Sequence, residues 1–328
     1  MEKPLAERAA RRILRDFART TMWFKNLFVY RLPEAWALSA ADLEAQLSQR
    51  TLLPCGAFDM SSRGWVHPSG IQRLVHSING HHLIALGVDE KLLPGSIVKQ
   101  VAKERAVEME KDQGFPVGRR QMRELRDKIT EELRARAFTR KRMTRAWIDP
   151  KNGWFVIDTS GGSRADEVVE TMRATLGTFG VQFLETEKSP QQCMAAWLNL
   201  GDAPTRFVID EDLELQAVDQ SKATIRYSRH ILDGKEIRAH LSSGKFVTKL
   251  GLTWNDRVSF VLTDKLQVKR LDFLNINKET SGESEVSSDE QFDIDFTLMA
   301  GELSQLLADL TEALGGEAEK RQQQAVAA

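Results

Sequence analysis

The amino-acid sequence predicts an α+β fold with antiparallel sheets, a projecting helical-hairpin arm and a long C-terminal helix. Three observations predict it. Short runs rich in aromatic and branched residues follow one another with turn residues between them, as in AWIDPKNGWFVID, which is the pattern of antiparallel strands. Two neighbouring segments, 96–112 and 118–137, each carry a narrow apolar stripe through otherwise ionic sequence; helices of this kind satisfy each other and offer little apolar surface elsewhere. In FDIDFTLMAGELSQLLADLTEALGG the apolar residues recur at helical spacing until Gly315-Gly316.

Element by element, residues 1–21 are Arg-rich and read as a disordered N-terminal extension ahead of the fold. A first α+β part spans 22–94. MWFKNLFVYRL reads as a strand, SAADLEAQLSQR as a helix with Ser39 as N-cap and Asp42 three residues on, and HHLIALGVD as a second strand. Residues 95–145 form the arm. Val98, Val101, Ala102, Ala106 and Met109 line one helix, a turn falls at Gly114-Phe115-Pro116, and Met122, Leu125, Ile129 and Leu133 line the other. The stretch RARAFTRKRMTR, 134–145, is placed at the arm's end. A second α+β part spans 146–276. It opens with a hairpin whose turn is Pro150-Lys151-Asn152-Gly153, Asn-Gly supplying positive dihedrals. Two helices follow, 165–177 and one begun by Ser189-Pro190 with Gln192 completing a capping box, and then strands, the last three as a meander. Residues 277–290 read as an acidic loop, and 291–328 as the C-terminal helix with a frayed tail.

With 328 residues, 41% hydrophobic, the chain is globular. Cys55 and Cys193 lie far apart in apolar surroundings, which suits buried thiols in a reducing, cytoplasmic setting. No apolar run approaches a membrane span. The formal net charge of -1 hides a division: residues 1–150 carry 27 Lys+Arg and 18 Asp+Glu, and residues 151–328 carry 19 and 29. Local potential decides what a surface attracts, so the first half has the character of a polyanion-binding face.

The search for catalytic motifs is negative for P-loop, C-x-x-C, H-E-x-x-H and G-x-S-x-G patterns. DTSGGSRADE, 158–167, is read as an ordinary strand-to-helix turn, not a phosphate cradle. His76, His81 and His82 are read as surface or loop histidines, and no cofactor or metal is expected. The acids Glu283, Glu285, Asp289, Glu290, Asp293 and Asp295 could hold Mg2+ in a nuclease, but their density beside serines reads as solvated charge.

The basic stretch is the sharpest signal. Arg134, Arg136, Arg140, Lys141, Arg142 and Arg145 have no acidic residue among them, whereas Glu124, Asp127, Glu131 and Glu132 upstream supply counterions at helical spacing. A phosphate backbone relieves such repulsion, and nucleic acid is preferred to an acidic protein patch. Phe138, within the run, could stack on a base, wedge into a groove or enter a pocket on a second subunit; the last is preferred, since an unpartnered exposed aromatic is a liability.

Several stretches resemble one family. MWFKNLFVYRL, LLPCGAFDM with GWVHP after it, LPGSIVKQ, RAF at 136–138, VTKLGLTW, and DFTLMAGELSQLL through LGGE occur in unbroken order from Met22 to about Glu319 and are similar to RdgC, the bacterial recombination-associated proteins. The resemblance implies a curved α+β subunit that pairs with a second copy at both ends and closes into a ring. It further implies a positively charged hole admitting duplex DNA, binding with little sequence preference, restraint of RecA-promoted strand exchange, and no catalytic step. Localisation would be cytoplasmic and nucleoid-associated.

In that picture the six cations of the run face the hole, joined by Lys99 and, from the second half, Arg226, Arg229, Lys245 and Lys249, with Lys269 and Arg270 as further candidates. Phe138 and Leu133 belong to the dimer contact. Lys249 is expected on the strand face opposite Val247, either lining the hole or simply exposed to solvent. At Tyr227-Ser228-Arg229-His230 family members are richer in lysine. Direct contact with RecA is the alternative mode of inhibition, and a metal-dependent nuclease is a third reading.

Overall fold

In the computed structural model, which describes residues 22–33, 36–69, 72–219, 221–232, 234–274 and 287–318, alternation along the strands decides which layer each residue enters. The extension, the greater part of the acidic loop and the tail beyond residue 318 lie outside the described residues. The strands are β1 Leu27–Arg31, β2 Ser61–Val66, β3 His76–Ile78, β4 His81–Lys91, β5 Thr139–Asp149, β6 Trp154–Asp158, β7 Gln182–Phe183, β8 Phe207–Ala217, β9 Thr224–Tyr227, β10 Lys245–Trp254, β11 Val258–Thr263 and β12 Val268–Phe273. The helices are α1 Ala40–Ser48, α2 Gly95–Gln113, α3 Arg119–Arg136, α4 Gly162–Leu176, α5 Pro190–Leu200, α6 Gly234–Ser242 and α7 Ser288–Ala313.

All strands join one antiparallel sheet, ordered β2-β4-β5-β6-β1-β12-β11-β10-β8-β9, with β3 on β4 and β7 on β1. Its two halves meet through a short contact in which Leu27 faces Val268. In the first half, Phe28, Tyr30, Ile84, Ala146, Ile148, Phe155 and Ile157 point toward α1 and α4, where they meet Leu43, Leu47, Val168 and Met172. The alternate residues Leu27, Val29, Leu83, Trp147, Trp154 and Val156 share a larger core with the second half of the sheet, α5 and α7. Two apolar faces explain why these strands read as continuous apolar runs.

Helix α7 is apolar over a wide arc. Phe296, Met299, Leu303, Leu306, Leu307 and Leu310 are all fully or almost fully buried, each contributing about 1.5–3 kcal/mol by burial. Polar ties fix its register: the Trp254 indole N–H donates to Asp309 at 2.7 Å, and Arg257 pairs with Glu302 at 2.6 Å. The helix begins earlier than the sequence suggests. Ser287 is the N-cap, and Glu290 completes a capping box, so Asp289 and Glu290 belong to its first turn, not to a loop. Carboxylates are favoured there by the helix dipole.

Local signals behave as their chemistry requires. Ser39 and Ser189 cap α1 and α5, accepting from Asp42 N and Gln192 N, although the Gln192 side chain does not return the bond that the expected capping box requires. In the β5–β6 turn only Gly153 has positive φ, at 71°, so the expected pair of positive dihedrals reduces to one. Instead Asn152 is held by the Asp149 carboxylate through its backbone N–H and its side-chain amide. A bulge in β10 between Val247 and Lys249 turns them to opposite faces, where strict alternation would keep them together. Cys193 is buried, whereas Cys55 is only partly covered, because its loop lies at the end of β2 and β4.

Candidate nucleic-acid interface

Helices α2 and α3 pack on each other through a cluster of their own: Val98, Ala102 and Ala106 against Leu125 and Ile129, with Leu133 alongside. Leu133, expected at a dimer contact, is thus engaged inside the helix pair. The connecting turn, 114–118, lies at the end away from the sheet, and the chain re-enters the sheet straight after Arg136. This corrects the expected placement of residues 134–145. They are the root of the hairpin, and residues 139–145 are the first part of β5.

The root is built tightly. Lys91 is buried and its ammonium donates to Ala57 O and Arg134 O, both at 2.8 Å, satisfying a carbonyl at the C-terminal end of α3. The Leu92 N–H donates to Phe138 O at 2.7 Å, so the backbone of Phe138 is fixed. Its side chain is 86% exposed. Nearby, the loop ahead of β2 carries exposed Leu53, Phe58 and Met60, and Leu92 is exposed as well. The Met60 carbonyl accepts from Lys91 N. These residues leave an apolar edge exposed on the subunit. Its loop residues went unnoticed in the sequence, where LLPCGAFDM gives no periodic signal.

Strand geometry breaks up the basic run, because successive side chains point to opposite faces of a sheet. Arg140 and Arg142 lie on the face of α4, where Arg142 meets Glu167 at 2.6 Å and Arg140 meets Glu90 at 3.4 Å. Arg145 lies on the other face, buried, with its Nε donating to Pro68 O. Burial lowers its pKa, while Asp158 opposes that change. The expectation of a run without counterions therefore fails for three of its six cations: two have acidic partners, and Arg145 is a core residue closed to any external phosphate. The partners come from β4 and α4, distant in sequence. Arg136 and Lys141 are exposed and unpaired among the described residues, and so is Lys99 on α2; Arg134 is half-buried at the end of α3.

In the second half, Arg226 and Lys249 both reach Glu214, at 2.6 and 2.9 Å. Burial alone would raise the Glu214 pKa, but hydrogen bonds from Lys249, Arg226 and Thr248 outweigh it and bring the carboxyl down to about 2. Arg270 pairs with Asp212 at 3.1 Å, and Lys245 donates to Ser243 Oγ. These corrections leave Arg229, exposed with positive φ, and Lys269, half-buried on β12, as the cations of this group without a side-chain partner among the described residues.

Contrary to expectation, His76 and His82 are not surface residues, while His81 is partly exposed at the start of β4, 3.8 Å from Asp149. His76 and His82 are buried on β3 and β4; His76 Nε2 lies 3.0 Å from Asp293, and His82 Nδ1 lies 2.9 Å from Ser77 Oγ. Burial lowers both pKa values. Of the acids weighed as a metal site, Glu283 and Glu285 lie outside the described residues, Glu290 caps α7, Asp293 faces His76 and Asp295 accepts from Gln291. Among the described residues no group of three His, Cys, Asp or Glu is placed to hold a metal ion, and no helix is long and apolar enough to cross a membrane.

Residues 22–317 match the family model described as "RdgC: Putative exonuclease, RdgC". The chain belongs to the RdgC family. A protein of Dechloromonas aromatica, named recombination-associated protein RdgC, is 51% identical over 299 residues, 90% of this chain and 98% of the relative. Proteins of the same name from Janthinobacterium sp. and Cupriavidus pinatubonensis are 45% and 47% identical, covering 92% and 90% of this chain and 100% and 99% of their own lengths. The RdgC match begins where the described structure begins, at Met22, and ends just beyond α7, so it spans the whole sheet and every described helix.

Proposed function

We propose that this RdgC chain is a non-enzymatic DNA-binding protein without sequence preference, acting as a homodimer that closes into a ring around duplex DNA and restrains RecA-promoted recombination. The observation that carries it is the hairpin root, where the exposed Phe138 sits on a fixed backbone between two exposed, unpaired cations, Arg136 and Lys141. Cations held at the end of α3 and on β5 meet phosphates and carry no base readout, so affinity follows the backbone and not the sequence. Phe138 and the apolar edge beside it supply the contact with a second copy. A duplex held in this way is denied to an invading RecA filament.

The test is binding to two unrelated linear duplexes across a salt series, for the wild type and for a variant with Arg136→Ala and Lys141→Ala. Equal affinity for both sequences is expected, with a steep dependence on salt that loses about 0.9 log-log units per phosphate contact removed. Marked preference for one sequence, or no binding, overturns the reading. Restraint of strand exchange that survives loss of DNA binding would instead place the effect on RecA itself.

The description of the family as an exonuclease favours a second reading. Incubation of end-labelled duplex with the chain and Mg2+ decides it: mononucleotide release that rises with protein concentration establishes the nuclease, and intact duplex under conditions of saturated binding removes it.

A further inference from the structure

Lys91 is 6% exposed and has no carboxylate within ion-pair distance among the described residues. A lysine is almost never buried so deeply without a charged partner. A leucine or methionine would fill the place without the cost of desolvating an ammonium. The donors of Lys91 must offset that cost, and they do so on two segments distant along the chain. Its Nζ donates to Ala57 O, in the loop ahead of β2, and to Arg134 O, at the end of α3. The second carbonyl lies in the last turn of the helix, at the negative end of its dipole, which favours a cation.

The same residue stands where three strands end. β2 begins at Ser61, β4 ends at Lys91 and β5 begins at Thr139. Around this corner lie exposed side chains of the apolar edge from three separate stretches: Phe58 and Met60 from the loop, Leu92 after β4, and Phe138 before β5. Leu92 and Phe138 are joined through the backbone, the Leu92 N–H donating to Phe138 O. Residues 53–60 belong to no strand or helix, so their position depends on individual tethers. The Cys55 N–H donates to the buried Asp89 carboxylate at 3.1 Å, Ser62 Oγ donates to Leu53 O, and Met60 O accepts from Lys91 N. Ala57 O, next to Phe58, accepts from the Lys91 ammonium, which also ties the loop to α3.

We infer that Lys91 is the positioning residue of the subunit contact: its ammonium pins the loop against the end of α3, so that Phe58 and Met60 are held on the same edge as Phe138 before a second copy arrives. An apolar surface carried on a free loop must be ordered as it binds, at a cost for every backbone unit and side chain fixed. A tether made within the subunit removes that cost from the association step. Lys91 is itself buried, so it acts through Phe58 and Met60 and not by touching the second copy. The inference rests on the homodimer reading above and adds to it the residue that prepares the contact.

The experiment compares the full chain with Lys91→Met, which keeps an apolar stem and removes the ammonium, with Phe58→Ser plus Met60→Ser, and with all three changes together. Sedimentation across a dilution series reads self-association. The reaction of Cys55 with a thiol reagent reads the loop, Cys193 being buried. Lys91→Met should weaken self-association by about ten-fold to a hundred-fold. It should also speed the Cys55 reaction on the order of ten-fold, since local opening governs access. In the serine background the same substitution should change association by less than about two-fold, because residues that act as one unit are not additive. A lysine that merely stabilised the subunit would give equal losses in both backgrounds. Should Lys91→Met fail to fold, Lys91→Gln, whose amide retains donors, takes its place in the cycle. Wild-type association by the Lys91 variant, an unchanged Cys55 rate, or an undiminished loss in the serine background overturns the inference while leaving the homodimer reading intact. A wild type that stays monomeric removes both.

Discussion

Replacing Phe138 by Ser separates the fold from the assembly. The side chain is 86% exposed, so of the roughly 200 Å2 a Phe offers, about 30 Å2 is covered by its own subunit. At about 25 cal/mol per Å2 that burial contributes roughly 0.7 kcal/mol, and the remaining ~170 Å2 would contribute about 4 kcal/mol per site if a second copy covered it completely. The substitution should therefore change the subunit's stability by less than about 1 kcal/mol and weaken self-association by up to about a thousand-fold. Sedimentation across a dilution series measures the second quantity, and urea unfolding the first. An unchanged association constant would refute the assignment of Phe138 to a subunit contact. A loss of several kcal/mol in the subunit would refute the account of its exposure.

Two further substitutions test how the structure divides the basic residues. Lys141→Ala, at an exposed and unpaired site, should leave stability within about 0.5 kcal/mol and lower the salt slope for DNA by about one unit. Arg145→Ala should instead cost about 1–3 kcal/mol in denaturant unfolding, because it empties a buried site and removes the donor to Pro68 O; wild-type unfolding would contradict its burial. Glu214→Gln removes a carboxylate held at about 2 by Lys249, Arg226 and Thr248. A carboxyl depressed on folding contributes stability above its unfolded pKa of about 4.5 and loses it as pH falls toward 2. The variant should therefore be less stable by about 1.5–3 kcal/mol at pH 7, with the gap closing between pH 4.5 and 2; a gap independent of pH would refute the charge account.

Much of the fold is legible along the chain because its signals are local. Ser39 and Ser189 cap helices wherever they precede an apolar stripe. The two charged helices with narrow stripes pair with each other, since no other surface matches them. The start of α7 was less legible, because Asp289 and Glu290 read as solvated loop until Ser287 is seen accepting from the Glu290 N–H. Among the candidate site residues, the exposure of Phe138 was foreseeable from its polar and basic neighbours. The fate of Arg140, Arg142 and Arg145 was not, because their environment is set by residues 25 to 77 positions away along the chain.

By itself, the sequence determined the α+β class, the division of charge between the halves and the presence of a dense basic stretch, since these depend on composition and short-range periodicity. Only the tertiary structure decided which of those cations are free. Once residues 139–149 pair with β4 as a strand, alternation sends neighbouring arginines to opposite faces. There, partners brought in by the sheet neutralise or bury them, and charge that looks contiguous along the chain becomes discontinuous in space.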